Sequence, residues 1–75
     1  MTLHVAADDI AKRVSSHMGS VQPIDANSCE LRTRDYDLSW LALRIAMLGV
    51  DFEVHEPPEL ADHLRALADR LRRAV

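Results

Sequence analysis

Apolar positions along the chain follow two alternating rhythms. From Thr2 to Ala6, Leu3 and Val5 alternate with Thr2 and His4, the two-residue repeat of a half-buried strand. Ile10, Ala11, Val14, His17 and Met18 then recur at helical spacing, which predicts a helix opened by Asp8 and Asp9 and stopped by Gly19. Val21 to Asp25 returns to strand character, and Pro23 restricts it to a sheet edge or a bulge. Asp25-Ala26-Asn27-Ser28 is hairpin-turn chemistry. Beyond it Cys29, Leu31 and Thr33 face one way and Glu30, Arg32 and Arg34 the other.

A second helix, capped by Asp37 or Ser39, is predicted to run to Leu48 and to be closed by Gly49. Phe52 and Val54 alternate with Asp51, Glu53 and His55, a fourth strand that Pro57-Pro58 ends. Proline is well placed in the first turn of the helix that follows. Leu60, Leu64, Leu67, Leu71 and Val75 form one seam of that helix. Its acids, Glu59 and Asp62, come early and Arg70, Arg72 and Arg73 late, as the helix dipole favours.

The order β-α-β-β-α-β-α predicts an α+β fold of the ferredoxin-like βαββαβ type: a four-stranded antiparallel sheet with two helices on one face, plus an added C-terminal helix. Leu3, Val5, Cys29, Leu31, Phe52 and Val54 would meet the helices. Thr2, His4, Gln22, Glu30, Arg32, Arg34, Glu53 and His55 would form an open polar face.

Composition narrows the function. Seventy-five residues make one small domain, whose modest core leads us to expect a partner or a neighbouring domain. A net charge of −3 argues against gripping duplex DNA chiefly by charge. The lone Cys29 excludes an intrachain disulfide and a Cys-rich zinc site. The most apolar stretch, Trp40 to Val50, contains Arg44 and is too short to cross a bilayer, and no signal peptide is evident. The expected compartment is the cytoplasm, with no membrane contact and no cofactor.

Candidate chemistry lies mainly on the polar sheet face. Arg32 and Arg34 project from one side of a strand, about 7 Å apart, and could grip phosphate or a single-stranded nucleic-acid backbone; pairing with acids such as Glu53 is the competing reading. His4 and His55 fall on strands expected to be neighbours and could form a proton-linked site with Glu53; lacking a further fixed ligand, they are assigned no metal. No aromatic side chain occupies a stacking position on this face, which argues against base recognition of the kind RNA-recognition domains use.

Catalysis finds no support in the residues. Ser15, Ser16 and His17 lie within a predicted helix, without a nucleophile elbow. Acylphosphatases, of similar fold, need a glycine-bearing phosphate loop after the first strand, where this chain has the acidic Ala6-Ala7-Asp8-Asp9. His55, Glu59 and His63 cannot share a helical face across Pro57-Pro58.

The second helix carries two apolar stripes, Trp40-Leu43-Met47 and Leu38-Leu41-Ile45-Leu48, although covering a sheet needs only one. The surplus is either covered by the last helix or is an interface, with Trp40 as its anchor. The leucine seam of the last helix poses the same choice between its own domain and another copy, and docking on its own domain is expected.

Trp40-Leu41, Leu48-Gly49, Phe52-Glu53-Val54 and Glu56-Pro57-Pro58-Glu59-Leu60 together resemble the C-terminal extension (WCX) domain of WYL-domain helix-turn-helix transcriptional regulators. In that family a Trp-Leu helix ends in Leu-Gly, a strand follows, and a Pro-x-x-Leu step opens the last helix. The resemblance spans the whole chain, with its specificity concentrated in residues 38–64. An aromatic residue expected beyond the last helix is missing.

The resemblance implies one domain, residues 1–75, cut from the C-terminus of a longer regulator whose WYL and helix-turn-helix domains lie elsewhere. It implies a non-catalytic role in homodimerisation and in sensing an effector, with single-stranded nucleic acid or a nucleotide as the ligand class. On this reading Arg32, Arg34, His4 and His55 would bind the ligand, and Trp40, Leu43 and Met47 would make the interface. The alternative is an ACT-type small-molecule module of the same element order, which would carry a glycine in the turn after the first strand.

Overall fold

A computed structural model of the chain describes residues 1–14, 18–33 and 37–75. Its elements are β1 (Thr2–Leu3), α1 (Ala7–Ile10), β2 (Gly19–Asp25), β3 (Ser28–Thr33), α2 (Leu38–Ala46), β4 (Phe52–Glu53) and α3 (Pro58–Ala74). The strands form one antiparallel sheet in the order β2-β3-β1-β4. The architecture is α+β, and the element order agrees with that expected from the pattern.

The alternation in the strands works as predicted. Leu3, Cys29 and Leu31 are fully buried on the helix side of the sheet. They join Ile10 of α1, Leu41, Ala42 and Ile45 of α2, and Leu60 of α3 in one core, with Val5, Phe52 and Val54 packed at its margin. Pro23 finds both of its permitted settings, since β2 is an edge strand and its register against β3 shifts between Pro23 and Asp25. Asn27 N–H donates to Asp25 Oδ1 at 2.8 Å and fixes the hairpin turn.

Asp37 is the cap of α2, accepting from Trp40 N–H at 3.1 Å. Gly49, with φ of 75°, supplies the left-handed turn after that helix.

Four expectations need correction. The first strand was expected to reach Ala6, but β1 ends at Leu3 because the chain bends at His4 and Val5. The first helix is one turn, Ala7–Ile10, rather than a run to Met18. After Ile10 the hydrogen bonding tightens, with Arg13 N–H reaching Ile10 O at 2.9 Å, and Ser15, Ser16 and His17 lie outside the described residues. Gly19 does not end a helix; it opens β2 opposite Thr33. There, at φ of 147°, a Cβ would come within 1.8 Å of the Arg32 carbonyl oxygen, so only glycine fits. Finally, β4 spans only Phe52–Glu53, whereas the alternation was expected to carry the strand on through Val54 and His55.

Arg13 ties this short first helical segment to the second helix by donating to Leu48 O at 2.9 Å, a carbonyl just past the end of α2.

Candidate functional site

The pairing registers align Gln22, Glu30, Thr2 and Glu53 in one row across the four strands. Side chains alternate in a strand, so this row points away from the buried Leu3, Cys29 and Leu31. Arg32, His4 and His55 are exposed, as the two-residue repeat requires.

The same registers separate the two histidines expected to act together. With Thr2 opposite Glu53 in an antiparallel pair, His4 lies opposite Asp51 at one end of β1 and His55 passes beyond the other. His4 Nε2 is 3.9 Å from Glu53 Oε1, whereas His55 Nε2 shares a 3.0 Å hydrogen bond with Thr2 Oγ1. The expected His4–His55 pairing with Glu53 is therefore not formed. Among the described residues no three His, Cys, Asp or Glu side chains are gathered as a metal site.

His55 instead shares a cleft with Arg32. Both line an open cleft of about 700 Å³, together with Met1, Glu30, Leu31, Thr33, Glu56 and Pro57-Pro58. The reason is topological. β1 ends the sheet's pairing at Thr2, and the chain leaving β4 passes that end toward β3. Leu31 and the buried Met1 floor the cleft, and Met1 O accepts from Leu31 N–H at 2.8 Å.

Arg32 brings a guanidinium to this cleft, which Glu30 and Glu56 also line. Its Nε lies 3.9 Å from Glu30 Oε2, two residues away on the same strand, and 65% of its side chain is exposed. A long, exposed pair of this kind contributes about 0–1 kcal/mol, so an anion can replace Glu30 at little cost. The acid beside Arg32 is Glu30 and not Glu53, the competitor expected from the sequence. Arg34 and Tyr36 lie outside the described residues.

Glu56, Pro57 and Pro58 are the cleft residues that strand periodicity could not assign. They belong to no strand, and only the nearness of the end of β4 to β3 brings them to Arg32. The Pro-Pro pair marks where the chain must turn, which was the available signal.

On the helical side the stripe Trp40-Leu43-Met47 divides. Trp40 is half-buried against the core, with the Arg44 guanidinium 5.6 Å from its ring centroid, while Leu43 and Met47 are 48% and 66% exposed. α3 packs beside α2. Ser39 Oγ and His63 Nδ1 share a 3.2 Å hydrogen bond, and Leu43 borders a groove with Ala66, Leu67 and Arg70. The leucine seam docks through Leu60 and half-buried Leu64 and Leu67, then runs out of body to pack against, leaving Leu71 58% exposed.

Cys29 is fully buried, and desolvation pushes its thiol up, away from the thiolate a nucleophile needs. Among the described residues no helix is long and apolar enough to cross a membrane. No solved structure matches the chain. A family model does: that of the WCX domain, over residues 1–72.

Proposed function

The chain belongs to the WCX-domain family, a component of WYL-type transcription regulators, and from that premise we propose that it is a non-catalytic regulatory domain that helps to bind an anionic effector. The strand order β2-β3-β1-β4, with α1 and α2 on one face, supports reading the fold as ferredoxin-like. In such a fold the helices occupy one side of the sheet and leave the other to a ligand or a neighbour.

The observation that carries the reading is the cleft that Arg32 and His55 both line. Arg32 offers a permanently charged, planar donor set suited to a phosphate. His55 adds a second donor where its tautomer places hydrogen on the ligand side. His4, beside Glu53, stands apart from this pair and takes no part in it. Among the described cleft residues no aromatic platform stands beside Arg32, which favours backbone phosphate over base recognition.

Leu43 and Met47 supply the second half of the role, a contact with the remainder of the regulator or with another chain. Exposed large apolar side chains on a helix are of the type that such contacts cover. Effector binding regulates only if the ligand prefers one arrangement of the joined domains. A regulator of this kind acts in the cytoplasm, where it reaches both effector and DNA.

An amide NMR titration with a short single-stranded DNA oligonucleotide tests the effector reading. Saturable shifts at residues 30–33 and 55–58, abolished by Arg32→Ala, are expected. Shifts that persist in Arg32→Ala, or none at millimolar oligonucleotide, would refute it.

A further inference from the structure

The groove between α2 and α3 has a chemistry that neither the core nor the sheet-face cleft uses. Ala42 and Ala66 line it with no side chain beyond Cβ, so a hollow of about 190 Å³ remains where larger residues would interlock. Leu43 and Leu67 add apolar walls, and Leu43 is 48% exposed, so the groove opens to solvent. Polar groups stand at both ends, Ser39 and His63 at one and Arg70 at the other. His63 and Arg70 are about two turns apart on α3, roughly 10.5 Å along its axis, with Ala66 between them.

The two ends differ in charge. Ser39 Oγ and His63 Nδ1 share a hydrogen bond of 3.2 Å. Whichever of them holds the hydrogen, the pair keeps one to donate: His63 Nε2–H in one arrangement, the Ser39 hydroxyl in the other. The Ser39 oxygen also keeps a lone pair in both, so this end suits a neutral hydroxyl, which gives and accepts. Glu59 and Asp62 border His63 in the adjoining hollow, and they repel a carboxylate from this end.

At the other end Arg70 has no ion-pair partner among the described residues. The acid beside it in sequence, Asp69, is bonded by Arg72. The Arg70 guanidinium is thus left for a carboxylate from outside the domain.

We propose that this groove binds a small hydroxylated carboxylic acid with an apolar middle. Its carboxylate lies on Arg70, its apolar part over Ala42 and Ala66, and its hydroxyl at the Ser39–His63 pair. The volume is below the roughly 300–1,000 Å³ of sites for drug-sized ligands, which suits a molecule of about a dozen non-hydrogen atoms. The site lies among the helices, apart from Arg32 and His55, and stands independently of the effector cleft. A molecule bound there bridges α2 and α3 and favours whichever arrangement of the two helices it fits.

Amide NMR of the 75-residue chain, titrated with para-hydroxyphenylpropionate, tests the site. This probe carries hydroxyl, apolar ring and carboxylate in the required order. Saturable shifts are expected at residues 39–43 and 63–70. Phenylpropionate, which lacks the hydroxyl, should bind about fivefold more weakly, and para-propylphenol, which lacks the carboxylate, about tenfold or more.

Ala66→Leu should fill the groove and abolish the shifts, with circular dichroism checking that α3 persists. Arg70→Gln should weaken binding of both acids about tenfold and leave para-propylphenol unaffected. His63→Ala should remove the preference for the hydroxylated acid. Arg32→Ala should change none of these results, which separates the groove from the sheet-face cleft.

No saturable shift at tens of millimolar probe overturns the proposal, and so does undiminished binding to folded Ala66→Leu. Equal affinity of the parent and Arg70→Gln for the acids overturns it whether or not Ala66→Leu folds. Shifts confined to residues 30–33 and 55–58 and lost in Arg32→Ala overturn it too, and would assign the acid to the sheet-face cleft.

Discussion

Asp25 shows how a single exposed residue can tie a turn to pH. Its carboxylate accepts from the Asn27 backbone N–H, and then from the Ser28 hydroxyl, and these bonds to the charged form hold its pKa below the ordinary value. Because the folded value is the lower one, the stabilisation is present above the ordinary carboxylate range. It is lost as pH falls through the depressed value. Asp25→Ala should therefore melt below the parent at neutral pH, and the two melting curves should converge on acidification. Thermal unfolding across a pH series measures the gap. A gap unchanged down to strongly acidic pH would mean that the ionised carboxylate does not hold the turn. The residues of this turn announced it in the sequence, since Asx chemistry is local and needs no knowledge of the rest of the fold.

At the scale of elements, α3 sets identical residues in unequal places. Leu60 and Leu71 lie on one seam, yet Leu60 is fully buried and Leu71 is 58% exposed. Leu60→Ala should cost about 2–5 kcal/mol, and Leu71→Ala within about 0.5 kcal/mol of nothing. Urea unfolding of both variants checks this contrast; equal losses would mean that the seam is covered along its whole length.

Periodicity identified the seam but not its end, because a 3.6-residue repeat records which way a side chain points and not whether anything stands opposite. The same blindness lengthened the first helix, where the apolar spacing continued beyond the single turn that forms. It also joined Trp40, Leu43 and Met47 in one stripe, although the fold seats Trp40 against the core and leaves the other two exposed. Local signals fared better: the Asp37 cap, the Gly49 stop and the restriction Pro23 places on β2 each act within a few residues of themselves.

Across the whole molecule, β3 divides function from stability by alternation. Leu31 is fully buried between sheet and helices, and its neighbour Arg32 opens onto the cleft. Which face each residue takes was legible from the two-residue repeat. That Arg32 would share a cleft with His55 and not with His4 was not, since it depends on the register of β1 against β4 and on how short β1 is.

A domain of 75 residues has roughly 3–5 kcal/mol of net stability. Leu31→Ala, at about 2–5 kcal/mol, should leave a substantial unfolded fraction at room temperature. Arg32→Ala forfeits only the exposed contact with Glu30 and should shift stability by less than about 1 kcal/mol. Paired urea titrations of the two variants, read beside the oligonucleotide titration, separate the roles: Arg32→Ala should fold like the parent and lose the ligand. If Arg32→Ala instead unfolds with Leu31→Ala, the arginine is holding the sheet together, and the cleft loses its claim to be a binding site.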